Sequence, residues 1–148
     1  MYKKILVPTD GLLHSLKACQ YATKLAKLTG AEIIGIYVIP SRIVSIFEER
    51  RLEGRTAHDI ATEYRRDGEA YLRQFQSVCS KEYTEARTIL AEGYPPEEIL
   101  KAAEKENVDL IVIGVRRKSS VERTVTGKTS DEIVRNAKCP VVVINTPW

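Results

Sequence analysis

Three short stretches of this chain are apolar at nearly every position: Ile5 to Val7, Ile33 to Val38, and Leu110 to Ile113. A strand with one wet face alternates apolar and polar residues, so continuous apolar runs of this length describe strands covered on both faces. Between them the apolar period changes to that of a helix. Leu13, Leu16, Cys19, Ala22, Leu25 and Ala26 form one such series, and Ile60, Tyr64, Tyr71, Leu72, Phe75 and Val78 form a second. Shorter series follow at Ile99, Leu100 and Ala103, and at Ile133, Val134 and Ala137. Two more strands are expected at Thr84–Leu90 and Pro140–Ile144, which gives the order β-α-β-α-β-α-β-α-β. Strands that alternate with helices imply a parallel sheet with right-handed crossovers and helices on both faces. The 148 residues suit one domain spanning 1–148.

Local signals mark the boundaries. The first strand closes at Pro8 and is followed by the turn Thr9-Asp10-Gly11; Gly30 stops the first long helix and Pro40 ends the second strand. Residues 41–56 carry little pattern: Ile43, Val44, Ile46 and Phe47 suit a helix start that Gly54 interrupts. Charges early in Thr84–Leu90 mark an edge strand. Gly93-Tyr94-Pro95-Pro96 reads as a turn, with Pro96, Glu97 and Glu98 suited to a first helical turn. The fourth strand is expected to stop at Gly114, and the last helix to run from Thr129 to about Ala137, with Thr129 and Glu132 as a capping box.

The segment from Asp109 to Asp131 is the candidate site. A buried strand leads into a loop with Arg116, Arg117, Lys118, Arg123 and Lys128 against one acid, Glu122, and then into a helix N-terminus. Backbone N–H groups and the helix dipole favour an anion there. A basic loop is also an ordinary solvated feature, and Gly114 can be a turn residue as readily as a place of close approach to a ligand. Asp10 has two readings as well, an acceptor for sugar hydroxyls or a turn acid and helix cap. Gly127-Lys128-Thr129 resembles the end of a phosphate-binding P-loop, but Glu122 stands where that motif needs glycine. No local pattern asks for nucleophilic catalysis, and His14 and His58 have no metal-ligand spacing. Cys19, Cys79 and Cys139 are widely spaced without a CxxC, as in a reducing, cytoplasmic setting where thiols pack as small apolar residues. The net charge of +3 and the absence of aromatics in the basic loop argue against nucleic acid, and no apolar run is long enough for a membrane span.

Taken together, these residues resemble the universal stress protein family. The resemblance rests on Lys3-Lys4-Ile5-Leu6-Val7-Pro8-Thr9-Asp10-Gly11, on Gly93 with Pro95, and on Val108 to Gly114 with Gly127. It extends through Ile133-Val134-Arg135-Asn136-Ala137-Lys138-Cys139-Pro140 and Val141 to Ile144. It implies a five-stranded parallel sheet of order 3-2-1-4-5, Rossmann-like and similar to the adenine-nucleotide alpha hydrolases. It also implies a homodimer joined through Val141–Ile144. The family's ATP-binding branch carries G-x-x-G, a nine-residue spacer and G-[S/T], and here Gly114 and Gly127 fall on the first and third glycines. Arg117 replaces the second glycine, and Lys128 follows the third, with Thr129 and Ser130 displaced by one and two positions. By the resemblance, Asp10 falls at the acid that holds the ribose, Val38 near the adenine contact, and Gly114 and Gly127 in the glycine loop that holds the phosphates. Pro8, Thr9, Arg116, Arg117, Lys128, Thr129 and Ser130 complete the expected nucleotide-binding set. Arg117 and Lys128 can supply charge-assisted bonds to phosphate or can fill the pocket.

The expectation that follows is a regulatory stress-response module that binds ATP or AMP, with Mg²⁺ accompanying ATP, and that hydrolyses ATP slowly at most. The alternative is a dimeric interaction module without a nucleotide.

Overall fold

A computed structural model of the chain describes residues 1–42, 45–46, 56–82, 84–116 and 128–146. The elements are β1 (Lys4–Pro8), α1 (Leu13–Thr29), β2 (Glu32–Pro40), α2 (Ala57–Lys81), β3 (Ala86–Gly93), α3 (Pro95–Lys105), β4 (Leu110–Arg116), α4 (Lys128–Asn136) and β5 (Val141–Thr146). All strand pairs are parallel, and the sheet order is β3-β2-β1-β4-β5. The three continuous apolar runs are the three central strands, and the more polar β3 is an edge, as their compositions require. Side chains alternate between two faces. Ile5, Val7, Ile33, Leu110 and Val112 pack with Ala18, Cys19 and Ala22 of α1 and with Phe75 and Cys79 of α2. Leu6, Ile34, Ile36, Ile111 and Ile113 pack on the opposite side with Ile99 and Ala103 of α3 and Ile133 of α4.

Several boundaries differ from expectation for identifiable reasons. β4 does not stop at Gly114; it continues to Arg116, with Gly114 opposite Ile144 and Arg116 opposite Thr146. β3 begins and ends later than Thr84–Leu90 and takes in Gly93, so Pro95 and Pro96 both enter the first turn of α3. The last helix already includes Lys128, which puts Thr129 inside it rather than at its cap. The Glu132 carboxylate accepts the Tyr94 hydroxyl instead. A capping box does form at the start of α2: the Thr56 hydroxyl accepts the Asp59 N–H at 3.1 Å, and Asp59 accepts the Thr56 N–H at 3.1 Å. Ile43, Val44, Phe47 and Gly54 lie outside the described residues.

Candidate functional site

The chain reverses direction across β1. From β1 it builds outward through β2 to β3, then returns to lay β4 on the other side of β1. Helices that follow β1 and β4 leave the sheet on opposite faces, and a crevice opens beyond the strand ends at this switch point. Its volume is about 440 Å³, within the range of small-molecule sites. Pro8, Thr9 and Asp10 line it from the end of β1, Val38 from β2, Gly114 and Arg116 from β4, and Lys128, Thr129 and Ser130 from the start of α4. Nine sequence-expected residues thus meet around one opening although they lie up to 122 positions apart in the chain. Arg117 and Gly127 lie outside the described residues.

The turn after β1 is held by its own side chains. The Thr9 N–H donates to the Ile36 carbonyl at 2.9 Å, which ties the turn to β2. Gly11 takes a φ of 78°, a conformation that favours glycine, under the ring of Tyr71. The Leu12 N–H donates to Asp10 Oδ1 at 2.9 Å, an Asx turn. The Ser15 hydroxyl donates to the same oxygen at 2.6 Å and accepts the Asp10 N–H at 3.1 Å. His14 Nε2 lies 3.0 Å from Asp10 Oδ2. Among the described residues, Oδ1 therefore has both lone pairs engaged, while Oδ2 keeps one for a ligand. Burial raises the Asp10 carboxyl, but the bonds from His14, Ser15 and the Leu12 N–H outweigh it and hold the group below its ordinary value. Asp10 is thus a turn acid that retains one acceptor position toward the crevice. It does not cap α1, whose N-cap is Leu12 without a side-chain bond.

Gly114 serves close packing. A Cβ built there would stand 2.0 Å from the His14 carbonyl oxygen and 3.2 Å from the Ser15 nitrogen. The missing side chain lets the first turn of α1 lie directly on β4, the usual meaning of glycine within a strand. This contact brings His14 and Ser15 to the crevice. Sequence reading passed over both as site residues; the available signal was their spacing of four and five positions from Asp10 at a helix start.

The opposite wall belongs to α3 and α4. The first turn of α4 stands at the opening, where the positive end of the helix dipole suits an anion. Lys128 Nζ lies 5.8 Å from the centre of the Tyr94 ring, and the Tyr94 hydroxyl bonds to Glu132, so the α3 and α4 starts are linked across the mouth. Hydrogen bonding to Glu132 raises the Tyr94 phenol. Apolar walls come from Ile36, Ile99 and Ile113. No group of His, Cys, Asp or Glu suited to a metal ion occurs among the described residues. The carboxylate lining the crevice there is Asp10, so Mg²⁺ would depend largely on a ligand's own oxygens.

The sequence matches the model of the Universal stress protein family over residues 1–145. The chain belongs to the universal stress protein family. It is 35% identical over 148 residues to Universal stress protein MJ0531 of Methanocaldococcus jannaschii, covering 99% of this chain and 84% of that one. Among solved structures it is similar to hypothetical protein MJ0577, a universal stress protein of the same organism, with a TM-score of 0.80 and 24% identity over 99% of this chain and 97% of that one. It is also similar to the universal stress protein from Archaeoglobus fulgidus in complex with dAMP, with a TM-score of 0.69 and 22% identity over 97% of this chain and 98% of that one. The sheet order expected of a universal stress protein is the order found. No helix among the described residues is long and apolar enough to cross a membrane.

Proposed function

We propose that this universal stress protein binds an adenine nucleotide, ATP or AMP, in the crevice between β1 and β4 and acts as a regulatory module of the stress response. The observation that carries the reading is the pairing of Asp10, with one acceptor open, against the N-terminus of α4 across an apolar slot lined by Val38, Ile99 and Ile113. A ribose hydroxyl suits the first, a phosphate the second, and a purine the slot between. The dAMP complex of a protein with this fold supports the choice of ligand class. Arg116 and Lys128 would add charge-assisted bonds to phosphate, and Mg²⁺ would accompany ATP. Turnover is expected to be slow at most, since Asp10 already accepts three bonds and is a poor general base. A reducing, cytoplasmic setting suits the free thiols.

Titration calorimetry with adenosine, AMP and ATP, with and without Mg²⁺, tests the reading. ATP should bind more tightly than adenosine, and the difference should shrink as salt rises. Nucleotide released on denaturing the purified protein would agree. If no nucleotide binds and none is carried through purification, the second reading takes over, a homodimeric interaction module. It is favoured by the edge strand β5, where Val143 is 36% exposed and no further strand pairs on the outer side among the described residues. Sedimentation at micromolar concentration would report that dimer.

A further inference from the structure

We propose that Cys19 and Cys79 form a peroxide-responsive dithiol that closes to a disulfide between α1 and α2. The proposal is independent of nucleotide binding. The two sulfurs stand 4.0 Å apart across the packed helices, although the residues are 60 positions apart in sequence. A disulfide needs about 2.05 Å, so the sulfurs must approach by roughly 2 Å, within reach of side-chain rotation and a small shift of a helix end. Cys139 packs on the opposite face of the sheet, so each thiol of the pair has one intramolecular partner.

The two thiols sit in different places on their helices. Cys19 lies in the middle of α1, held by helical bonds on both sides. Cys79 lies two residues before the last residue of α2, and its carbonyl accepts the N–H groups of Glu82 at 3.1 Å and Thr84 at 3.0 Å. Both are buried at rest, and helix ends open more readily than helix centres. When the last turn of α2 opens, the Cys79 thiol loses its proton to water. The thiolate attacks one oxygen of a hydroperoxide; the S–O bond forms, the O–O bond breaks, and the departing oxygen takes up a proton as water or an alcohol. As the turn closes again, the Cys19 sulfur attacks the sulfenic sulfur. The S–S bond forms, the S–OH bond breaks, and the hydroxyl leaves as water with the Cys19 proton. The two thiols give up two electrons, and the hydroperoxide accepts them. A disulfide of this kind in a reducing compartment is transient and suited to sensing.

The full chain carrying Cys139→Ala, treated with hydrogen peroxide in its folded state, tests the proposal. Intact mass should fall by two hydrogens, and peptide mapping should find Cys19 linked to Cys79. The melting temperature should rise by roughly 5–15 °C, from the usual stabilisation by a long-loop disulfide, and return on reduction. In Cys19→Ala the reaction should halt at a Cys79 sulfenic acid that dimedone traps. Two outcomes would overturn the proposal: both thiols surviving peroxide levels that leave the fold intact, or oxygen added to Cys79 without a cross-link. Should a variant fail to fold, peptide mapping of the unsubstituted chain decides between the same outcomes.

Discussion

Asp10, in the turn after β1, and Gly114, on the neighbouring β4, both line the crevice, and each has a structural duty beside its place there. The Asp10 carboxyl is held below its ordinary value of 3.8 by donors that exist only in the folded turn. A depressed folded value means that the charged form stabilises the fold: the contribution is complete above about pH 4 and disappears as pH falls through the lower folded value. Acid unfolding of Asp10→Asn should therefore depend less on pH below 4 than that of the parent chain, as circular dichroism would show. Asp10→Ala removes the Asx turn as well, and is expected to weaken nucleotide binding by about 1–3 kcal/mol, the range for a bond to a charged group. A melting temperature that falls while calorimetric affinity stays constant would leave Asp10 with the turn alone. Gly114→Ala drives a methyl group into the His14 carbonyl. Overpacking of this kind costs about 1–3 kcal/mol, and a backbone neighbour has less room to yield than a side chain. Denaturant unfolding should register that loss, and NMR shifts should concentrate at Leu13 to Leu16.

At the scale of elements, what was legible in the sequence was what local chemistry decides. Runs of Ile, Leu and Val announced β1, β2 and β4, and the helical period announced α1 and α2, because burial on two faces or on one leaves its own pattern. Gly114 misled at the end of β4, since a glycine that ends a strand and one that admits a helix look alike until the helix is in place. The capping box was expected at Thr129 and occurs at Thr56, because the T-x-x-acid spelling does not reveal that Tyr94, 38 residues from Glu132, claims the latter's carboxylate. In the site, Asp10, Lys128 and Ser130 were readable from their family positions, whereas His14 and Ser15 enter only through the contact of α1 with β4. The seat of α2 was equally hidden. The Phe75 ring lies over Gly35 of β2, and the Tyr37 ring lies against Gly68 of α2, each ring filling the space of an absent side chain. Tyr37 also meets Tyr71 edge to face, with centroids 5.5 Å apart. Phe75→Ala empties one such seat and should cost about 3–5 kcal/mol in urea unfolding. A loss below 1 kcal/mol would show that α2 is held elsewhere.

For the whole molecule, the decisive feature is the seam between β1 and β4, where Ile5 pairs with Leu110 and Leu6 with Ile111. The crevice straddles this seam, so a ligand there touches both halves of the sheet and resists their separation. Saturating ATP should therefore slow amide hydrogen exchange on both sides together, in Thr9 to Ser15 and in Ile113 to Arg116. Slowing confined to one side would place the ligand elsewhere. The seam also sets a timetable at the ribosome. Leu110 is synthesised roughly 5–20 s after Ile5 at ordinary elongation rates, and during that interval β1 can pair only with β2. The future centre of the sheet is then an apolar rim with one row of backbone groups unpaired, the kind of edge on which nascent chains stick to one another. A chaperone that recognises extended apolar segments would find β1 during synthesis and lose it once β4 arrives.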